Sequence, residues 1–442
     1  MAVYLRRAIL FMVLLIAVLQ VIHLTLLSKL ESKKVERIKR SKAALNEVLS
    51  ENVHTPYQNN DLIEDRKRMW NLVKDSSILD SSGEYRIINH FSRAQSLGYR
   101  NHVRKDVTLV TQSSISRLHH LITVMQRWQG LVSVAVFTLT EDISSTIEAI
   151  LLLRRCFPII RYNASFHLIS PLRVPVVVSG ALSSISRPSD YSFSNVDCET
   201  ATELIQALQP SNINYDHKGV PFPNNLLRNV GRHNAFTEFV FVTDIDLIPS
   251  YNLRQQFMEF AVTNRILDES MKEDKTVFVV PAYEVKEELS DESIPRDKSE
   301  LLRLVDTLEA RPFYFELCWK CHKYTDYDAW QRERQTPKLT VLFEVLWRDP
   351  WEPFYISRNN VPFYDERFRQ YGFNRISQVC ELHFSGFKFS VLNNAFVVHK
   401  GLKTANTFHK QKDLELEKNR LLFRQFKNEL KDRYPDSSRR CY

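Results

Sequence analysis

The chain has 442 residues, 44% hydrophobic and 25% charged, and its 60 Lys+Arg against 52 Asp+Glu leave a mild net charge of +8. Its 9 glycines, about 2% of the residues where roughly 7% is usual, never fall within eleven positions of one another. That spacing excludes a G-x-G-x-x-G dinucleotide loop, a Walker A loop and a G-x-S-x-G nucleophile elbow, and the absence of a long basic run in the globular part argues against nucleic acid as a partner.

Residues Ala8 to Leu27 form an apolar run broken only by Gln20, His23 and Thr25. At about 1.5 Å per residue the run spans a hydrocarbon core of about 30 Å, and no A-x-A-like cleavage site follows it, which predicts a signal anchor over 8–27 after a short tail at 1–7. Arg6 and Arg7 precede the run, whereas Lys29, Lys33, Lys34, Arg37, Lys39 and Arg40 follow it. Counted alone, those charges favour a cytosolic C-terminus, but long C-terminal domains translocate despite them, so the orientation stays open on charge. Residues 28–85 read as a stem. Val35, Ile38, Lys42, Leu45 and Leu49 approach heptad spacing within a charged helix that the stretch from His54 to Asn60 breaks.

From residue 86 onward the pattern is globular. Apolar strands are predicted at Val107–Thr111, Val132–Thr138, Phe166–Ser170, Val174–Ser179, Phe239–Thr243 and Val277–Pro281, alternating with helices at Ile115–Trp128 and Ile143–Cys156. Buried strands alternating with helices predict an α/β fold with a mostly parallel central sheet flanked by helices. The mixed Lys and Glu of 284–309 read as a solvated helix or loop. Asn163-Ala164-Ser165 is a glycosylation sequon. The six cysteines lack a paired zinc spacing and fit disulfides in an oxidising lumen, with their connectivity open; Cys318 and Cys321 form a lone C-x-x-C.

Two segments carry chemistry. The strand Phe239–Thr243 runs into Asp244-Ile245-Asp246, and period-2 geometry places both carboxylates on one side at a strand's C-terminal end, where open α/β sheets bind ligands. Two close carboxylates repel, and a hard divalent cation, Mn²⁺ or Mg²⁺, removes that cost while bridging a diphosphate. Further on, a strand at Glu352–Ser357 and a helix at Arg375–Phe384 precede apolar segments at Phe389–Leu392 and Ala395–Val398, the last ending in His399-Lys400-Gly401. A neutral His399 would complete the metal shell begun by Asp244 and Asp246, with Lys400 facing phosphate.

These pieces occur in a specific order: Val107-Thr108-Leu109-Val110, Leu227-Arg228-Asn229, the Thr243–Ser250 segment, Val279–Glu284, His322-x-x-Thr325-Asp326-Tyr327-x-x-Trp330, Trp351–Tyr355, Tyr364–Leu382 and Val397–Gly401. In that order they resemble the GT-A-fold glucuronyltransferases of dystroglycan glycosylation, a family shared with the C-terminal domain of LARGE-type glycosyltransferases. The resemblance covers residues 105 to the C-terminus. It implies a single-pass type II protein of the Golgi membrane, luminal catalytic domain, and Mn²⁺-dependent transfer of glucuronic acid from UDP-glucuronic acid. The acceptor would be a β-linked xylose, joined in β-1,4 linkage, on an O-mannosyl glycan of an α-dystroglycan-like secretory glycoprotein, with a LARGE-type enzyme as a possible partner. It also implies Asp244, Asp246 and His399 as metal ligands.

The expected inversion at the anomeric carbon calls for a carboxylate that deprotonates the acceptor hydroxyl. The nominees are Glu352 and Glu381, with Asp365 third. Uridine and ribose contacts are expected at Thr111, Gln112, Ser113, Arg228 and Asn229. Arg375, Arg369 or Lys320 would meet the glucuronate carboxylate, since arginine offers a bidentate fork. His322, Thr325, Tyr327 and Trp330 would line the sugar sites. Two other readings remain: a β-1,3-N-acetylglucosaminyltransferase making poly-N-acetyllactosamine, and an inactive Golgi-resident partner of another glycosyltransferase.

Overall fold

The computed structural model describes residues 57–98, 105–172, 197–207, 220–404 and 412–441, with short helical stretches inside 16–29. The chain divides after Tyr57, and Gln58–Tyr442 form one unit. Among the described residues no helix is long and apolar enough to cross a membrane; most of the expected anchor, most of the expected stem helix and the strand expected at 174–179 lie outside them.

Fourteen strands are described: β1 (Ile78–Leu79), β2 (Tyr85–Ser92), β3 (Val107–Ser114), β4 (Val132–Phe137), β5 (Ala164–Pro171), β6 (Phe239–Val242), β7 (Leu247–Pro249), β8 (Thr276–Val280), β9 (Ala282–Val285), β10 (Ala310–Pro312), β11 (Val341–Val345), β12 (Phe354–Arg358), β13 (Lys388–Leu392) and β14 (Val397–Lys400). Ten form one sheet in the order β1-β2-β5-β4-β3-β6-β12-β8-β13-β11. Its centre, β5-β4-β3-β6, is parallel, as the apolar runs predict. The sheet as a whole is mixed rather than mostly parallel, because β12 enters antiparallel between β6 and β8, and β1, β2 and β11 are antiparallel too. A single-sequence pattern of apolar runs reads burial, not strand direction, and burial is what these strands share.

Alternation along the strands assigns the two faces. Val132, Val134 and Val136 of β4 join one core, with Leu121, Met125 and Trp128 of the helix Leu121–Trp128 and Ile147, Ile150 and Leu151 of the helix Ile143–Cys156. Ala135 and Phe137 turn to a second core shared with Leu226, Leu227 and Val230 of the helix Asn224–His233. In the C-terminal half Val277 and Val279 of β8 face a further core built on the helices Asn374–Phe384 and Lys412–Arg433. Three disulfides pair all six cysteines: Cys156–Cys198, Cys318–Cys321 and Cys380–Cys441.

The expected stem ends earlier than residue 85. The helix Asn59–Asp75 buries Leu62 and Met69, Met69 within the main core, and β2 pairs with β5. The stretch 284–309 is not solvated throughout either: Glu284, Lys298 and Leu301 are fully buried, and the ammonium of Lys298 donates to the Trp330 carbonyl at 2.6 Å and to Asn393 Oδ1 at 2.7 Å.

A second sheet of four strands, β10-β9-β14-β7, stands at the C-terminal end of β6. It arises because the chain turns after Val242: Leu247 N–H donates to the Asp244 carbonyl at 3.0 Å, and β7 leaves in a new direction to pair with β14. In that antiparallel register His399 lies opposite Leu247, and on the other side of β14 it lies opposite Glu284. Pairing of β14 with β7 is therefore what carries His399 to the acidic turn.

Candidate active site

Asp244 and Asp246 do not point the same way. Residues 244–246 lie in the turn, not in a strand, so period-2 spacing does not apply to them. Asp244 Oδ1 accepts from Gln112 Nε2 at 2.5 Å and from Arg228 at 3.2 Å, and Arg375 reaches both of its carboxylate oxygens, at 3.2 and 3.1 Å. Gln112 arrives there because β3 and β6 run parallel with Val110 beside Val242, so Gln112 on β3 comes alongside Asp244 just past the end of β6. Burial raises the carboxyl pKa of Asp244, but Arg375 and Arg228 outweigh it and the net shift is downward.

Asp246 Oδ2 faces His399 Nε2 at 3.4 Å. His399 Nδ1 lies 2.8 Å from the Gly401 carbonyl, which can only accept, so Nδ1 carries the proton. Nε2 faces the carboxylate: when protonated it donates to Asp246, and when neutral it presents a lone pair that a cation would engage together with the carboxylate. Two donors from an imidazole and a carboxylate thus suit a divalent ion. Asp244 would join them only on leaving the arginines, and among the described residues no group of three His, Cys, Asp or Glu is gathered closely enough to hold one. The carboxyl of Asp246 is held far below the usual carboxylate range: burial opposes this, and the hydrogen bond and charge of His399, then Lys403, overcome it. Gly401 adopts φ +96°, and a Cβ there would stand 2.4 Å from Glu287 Oε2. The positive φ is what favours glycine here, at the bend that aims its carbonyl at His399; the exposed Glu287 carboxylate can move aside.

Glu352 joins the Asp244 side of the site. Burial pushes its carboxyl up to about 7 against the pull of Arg375 and Arg228, and the Asp244 charge adds to the rise. Its N–H donates to the Cys321 carbonyl at 2.9 Å. Arg375, in the first turn of its helix and 5% exposed, lies over the Phe354 ring at 4.1 Å. His322 is 2% exposed beside Phe313, Tyr314 and Phe354, and its pKa falls to about 3 through burial and the Arg375 charge. On β3, Thr111 Oγ1 and Gln112 Oε1 are buried and unmatched by any hydrogen bond, as is Arg228 Nε. Ser113 Oγ is used locally, donating to the Ser114 carbonyl at 2.7 Å. Unmatched polar atoms on β3 and on the helix Asn224–His233 are what a polar ligand would complete.

Several expected residues lie elsewhere. Glu381 accepts from Arg433 at 2.5 Å and from Tyr434 at 2.9 Å, so it anchors the C-terminal helix instead of facing Asp244. Asp365 is paired with Arg367. Asn229 is spent on cross-linking: its amide donates to the Tyr364 carbonyl and to Glu366, and its carbonyl accepts from Tyr364 N–H. Lys400 points to the opposite face of β14 from His399 and binds Asp291 at 2.8 Å; the lysine whose charge reaches Asp246 is Lys403, just beyond the strand. Thr325 accepts from Trp351, and Trp330 is 0% exposed with its indole donating to the Leu392 carbonyl; both are core, as is Tyr327. Arg369 is tied to Glu84 and Ser82, and Lys320 is exposed. Asn163 ends a short helix, half-buried, with its side-chain carbonyl 3.4 Å from Ser96 Oγ.

Two site residues escape the sequence patterns. Tyr314, at φ +58°, sits in the charge field of Glu352, Asp244 and Asp246, and burial first, then these carboxylates, raise its hydroxyl well above the usual range. Left-handed backbone at a bulky residue is a strained conformation that concentrates at functional sites. His120 stands near Asp246 and His399, its Nε2 buried without a partner and its pKa lowered to about 4 by burial and by His119.

Residues 106–435 match the family model described as "Glycosyl-transferase for dystroglycan". A mouse protein named Beta-1,4-glucuronyltransferase 1 is 39% identical over 384 residues, covering 85% of this chain and 86% of its own length. Its zebrafish counterpart of the same name is 37% identical over 448 residues, covering 98% of both. A chicken protein named Xylosyl- and glucuronyltransferase LARGE2s is 29% identical over 294 residues, 66% of this chain and 32% of its own length. With three quarters of its length inside the family model and relatives of this identity over nearly whole chains, the chain belongs to the glycosyltransferase family for dystroglycan.

Proposed function

We propose that the chain is a β-1,4-glucuronyltransferase of GT-A fold that moves glucuronic acid from UDP-glucuronic acid to a β-linked xylose on an O-mannosyl glycan of α-dystroglycan. The relatives' names support the transferred sugar and linkage. The observation that carries the reading to particular residues is Glu352: a half-buried carboxyl pushed up to about 7, placed among Arg375, Arg228 and Asp244. A general base is most effective when its pKa lies near the working pH.

UDP-glucuronic acid is α-linked and the product β-linked, so one displacement suffices. The xylose oxygen bonds to the anomeric carbon, the bond from that carbon to the diphosphate oxygen breaks, and the hydroxyl proton passes to Glu352. Arg375 and Arg228 offer charge-assisted donors to the donor's carboxylate, which competes with Asp244 for them. Asp246 and His399 would hold a divalent cation, Mn²⁺ or Mg²⁺, whose chemistry there is to offset charge on the leaving diphosphate. Lys403 adds positive charge on the same side, and Thr111 and Gln112 offer polar contacts to the nucleotide. Anchored by Ala8–Leu27, the catalytic unit would face the Golgi lumen.

The test is transfer to a β-xyloside with UDP-glucuronic acid, UDP-N-acetylglucosamine and UDP-xylose compared as donors, with EDTA and with added Mn²⁺. Metal-dependent transfer of glucuronic acid alone, abolished by Glu352→Gln and by Asp246→Asn, is expected. Preference for UDP-N-acetylglucosamine would replace the donor assignment, and undiminished turnover by Glu352→Gln would remove the base.

A further inference from the structure

The helix Phe315–His322 carries two large aromatic side chains that the core does not take up. Phe315 is 48% exposed and Trp319 is 39% exposed. Their rings meet edge to face with centroids 5.2 Å apart, and Trp319 rests at 6.1 Å from the buried Tyr327. The neighbouring aromatics of the segment, Phe313, His322 and Tyr327, are buried. Exposing indole and phenyl surface side by side forgoes stabilisation from burial, so a paired patch of this kind marks a contact surface.

Its position says with what. Tyr314, whose hydroxyl lies in the field of Glu352 and both aspartates, immediately precedes the helix. At the other end the Cys321 carbonyl accepts the N–H of Glu352 itself, at 2.9 Å. The segment is held at both ends against the candidate site, with a non-helical break at Cys318 (φ −154°, ψ 66°) between Phe315 and Trp319. Its outer flank is tied as well: Glu316 pairs with Arg311 at 2.5 Å, and Arg311 also holds the buried Glu284 and the Lys403 carbonyl. The bridge between Cys318 and Cys321 closes across the stretch that carries Trp319. The platform is thus rigidly indexed to Glu352 and continuous with the site.

We propose that Phe315 and Trp319 form a stacking subsite for the acceptor glycan, seating the sugar that follows the reacting xylose. A pyranose presents one face of C–H groups, apolar enough to lie on an aromatic ring, while its hydroxyls stay in water at the rim. Because the Cys321 carbonyl binds Glu352 N–H, an acceptor whose reacting hydroxyl reaches Glu352 has this segment beside it. The subsite sets acceptor length preference and takes no part in the displacement. Its substrate class rests on the glucuronyltransferase reading.

The test compares the wild-type chain with Trp319→Ala and Trp319→Phe on two acceptors: a β-xyloside with a small aglycone, and the same xyloside at the non-reducing end of an oligosaccharide. Trp319→Ala is expected to raise KM for the oligosaccharide by about tenfold, the worth of one aromatic contact. Its kcat, and the KM of the simple xyloside, should stay within about twofold of wild type, and Trp319→Phe should restore most of the loss. Equal loss on both acceptors, or no loss on either, overturns the subsite. If the wild type transfers nothing to any xyloside, it is the glucuronyltransferase reading that fails. The platform is then judged by tryptophan fluorescence titrated with the oligosaccharide alone: saturable quenching abolished in Trp319→Phe supports it, and its absence overturns it. A change in sedimentation of Trp319→Ala with unchanged KM assigns the face to a second copy of the chain and overturns the proposal.

Discussion

Arg375 reaches both carboxylate oxygens of Asp244, at 3.2 and 3.1 Å, across 131 residues of sequence. Arg228 shares the same carboxylate at 3.2 Å, and both guanidinium groups are almost fully buried. Two buried cations face the charge of Asp244 and the partly ionised Glu352, which leaves the cluster room for a further carboxylate, that of the donor sugar. Arg375→Ala is accordingly expected to raise the KM for UDP-glucuronic acid by about 10- to 100-fold, the range of a charge-assisted bidentate contact. UDP-glucose, which lacks the carboxylate, should show little change as a competing ligand. Equal weakening of both nucleotide sugars in steady-state inhibition would assign Arg375 to holding Asp244 alone.

Glu352 gives the reaction its pH profile. Desolvation of this half-buried carboxyl pushes it up to about 7, against the pull of Arg375 and Arg228. Only the ionised form accepts a proton, so kcat/KM should rise with pH and level off above about 8, with a limb of unit slope below 7. Arg375→Ala removes a cation that favours the ionised form, so that limb should move to higher pH. Glu352→Gln should lose about 10²- to 10⁴-fold in kcat and leave no such limb. A profile flat from pH 5.5 to 8 with full activity would place the base elsewhere.

How much of this was legible follows from what each residue's neighbours are. The parallel centre β3 to β6 was readable because its strands are apolar on both faces, and Asp244 was readable as the acid ending one of them. Asp246 and His399 meet only because β14 pairs with β7, a contact between segments 150 residues apart, and the histidine became a candidate through its local motif and the family resemblance rather than through spacing. Lys400 was nominated for its place beside His399, yet strand alternation turns it away to Asp291. Trp330 and Trp319 are indistinguishable by composition; tertiary packing buries the first and leaves the second at the rim. Tyr314 follows a three-residue strand and enters the site on left-handed backbone, which no periodicity announces.

Glu381 tests the difference between an anchoring carboxylate and a chemical one. It is 3% exposed and takes hydrogen bonds from Arg433 and Tyr434, next to the Cys380–Cys441 bridge. Glu381→Ala leaves Tyr434 and Arg433 without their acceptor. Because Arg433 is half exposed and re-solvates, a loss of about 1–3 kcal/mol is expected rather than the larger cost of a fully buried pair. Denaturant titration should show a lower midpoint, while kcat per folded molecule stays near wild type. Loss of turnover with unchanged stability would return Glu381 to the candidates for the base.

His167 links stability to pH far from the site. It is 0% exposed; its Nδ1 accepts from His90 N–H at 2.9 Å, so Nε2 carries the proton and donates to Ser133 Oγ at 3.1 Å, whose hydroxyl donates on to the Gly231 carbonyl. Every partner is matched to the neutral ring, and burial, followed by the charges of His90 and Arg93, lowers its pKa to about 3. The unfolded chain takes up this proton below about 6.5, whereas the folded chain does not until about 3. Stability from this group is therefore complete above pH 6.5 and declines as pH falls, by about 1.4 kcal/mol per unit between roughly 6 and 4. Replacement by a non-titrating residue, His167→Gln, lowers stability at pH 7 but should remove one proton's worth of that slope. Denaturation midpoints of the two proteins at pH 7, 5.5 and 4.5 should thus converge as pH falls, and parallel curves would mean that His167 keeps an ordinary affinity for its proton in the fold.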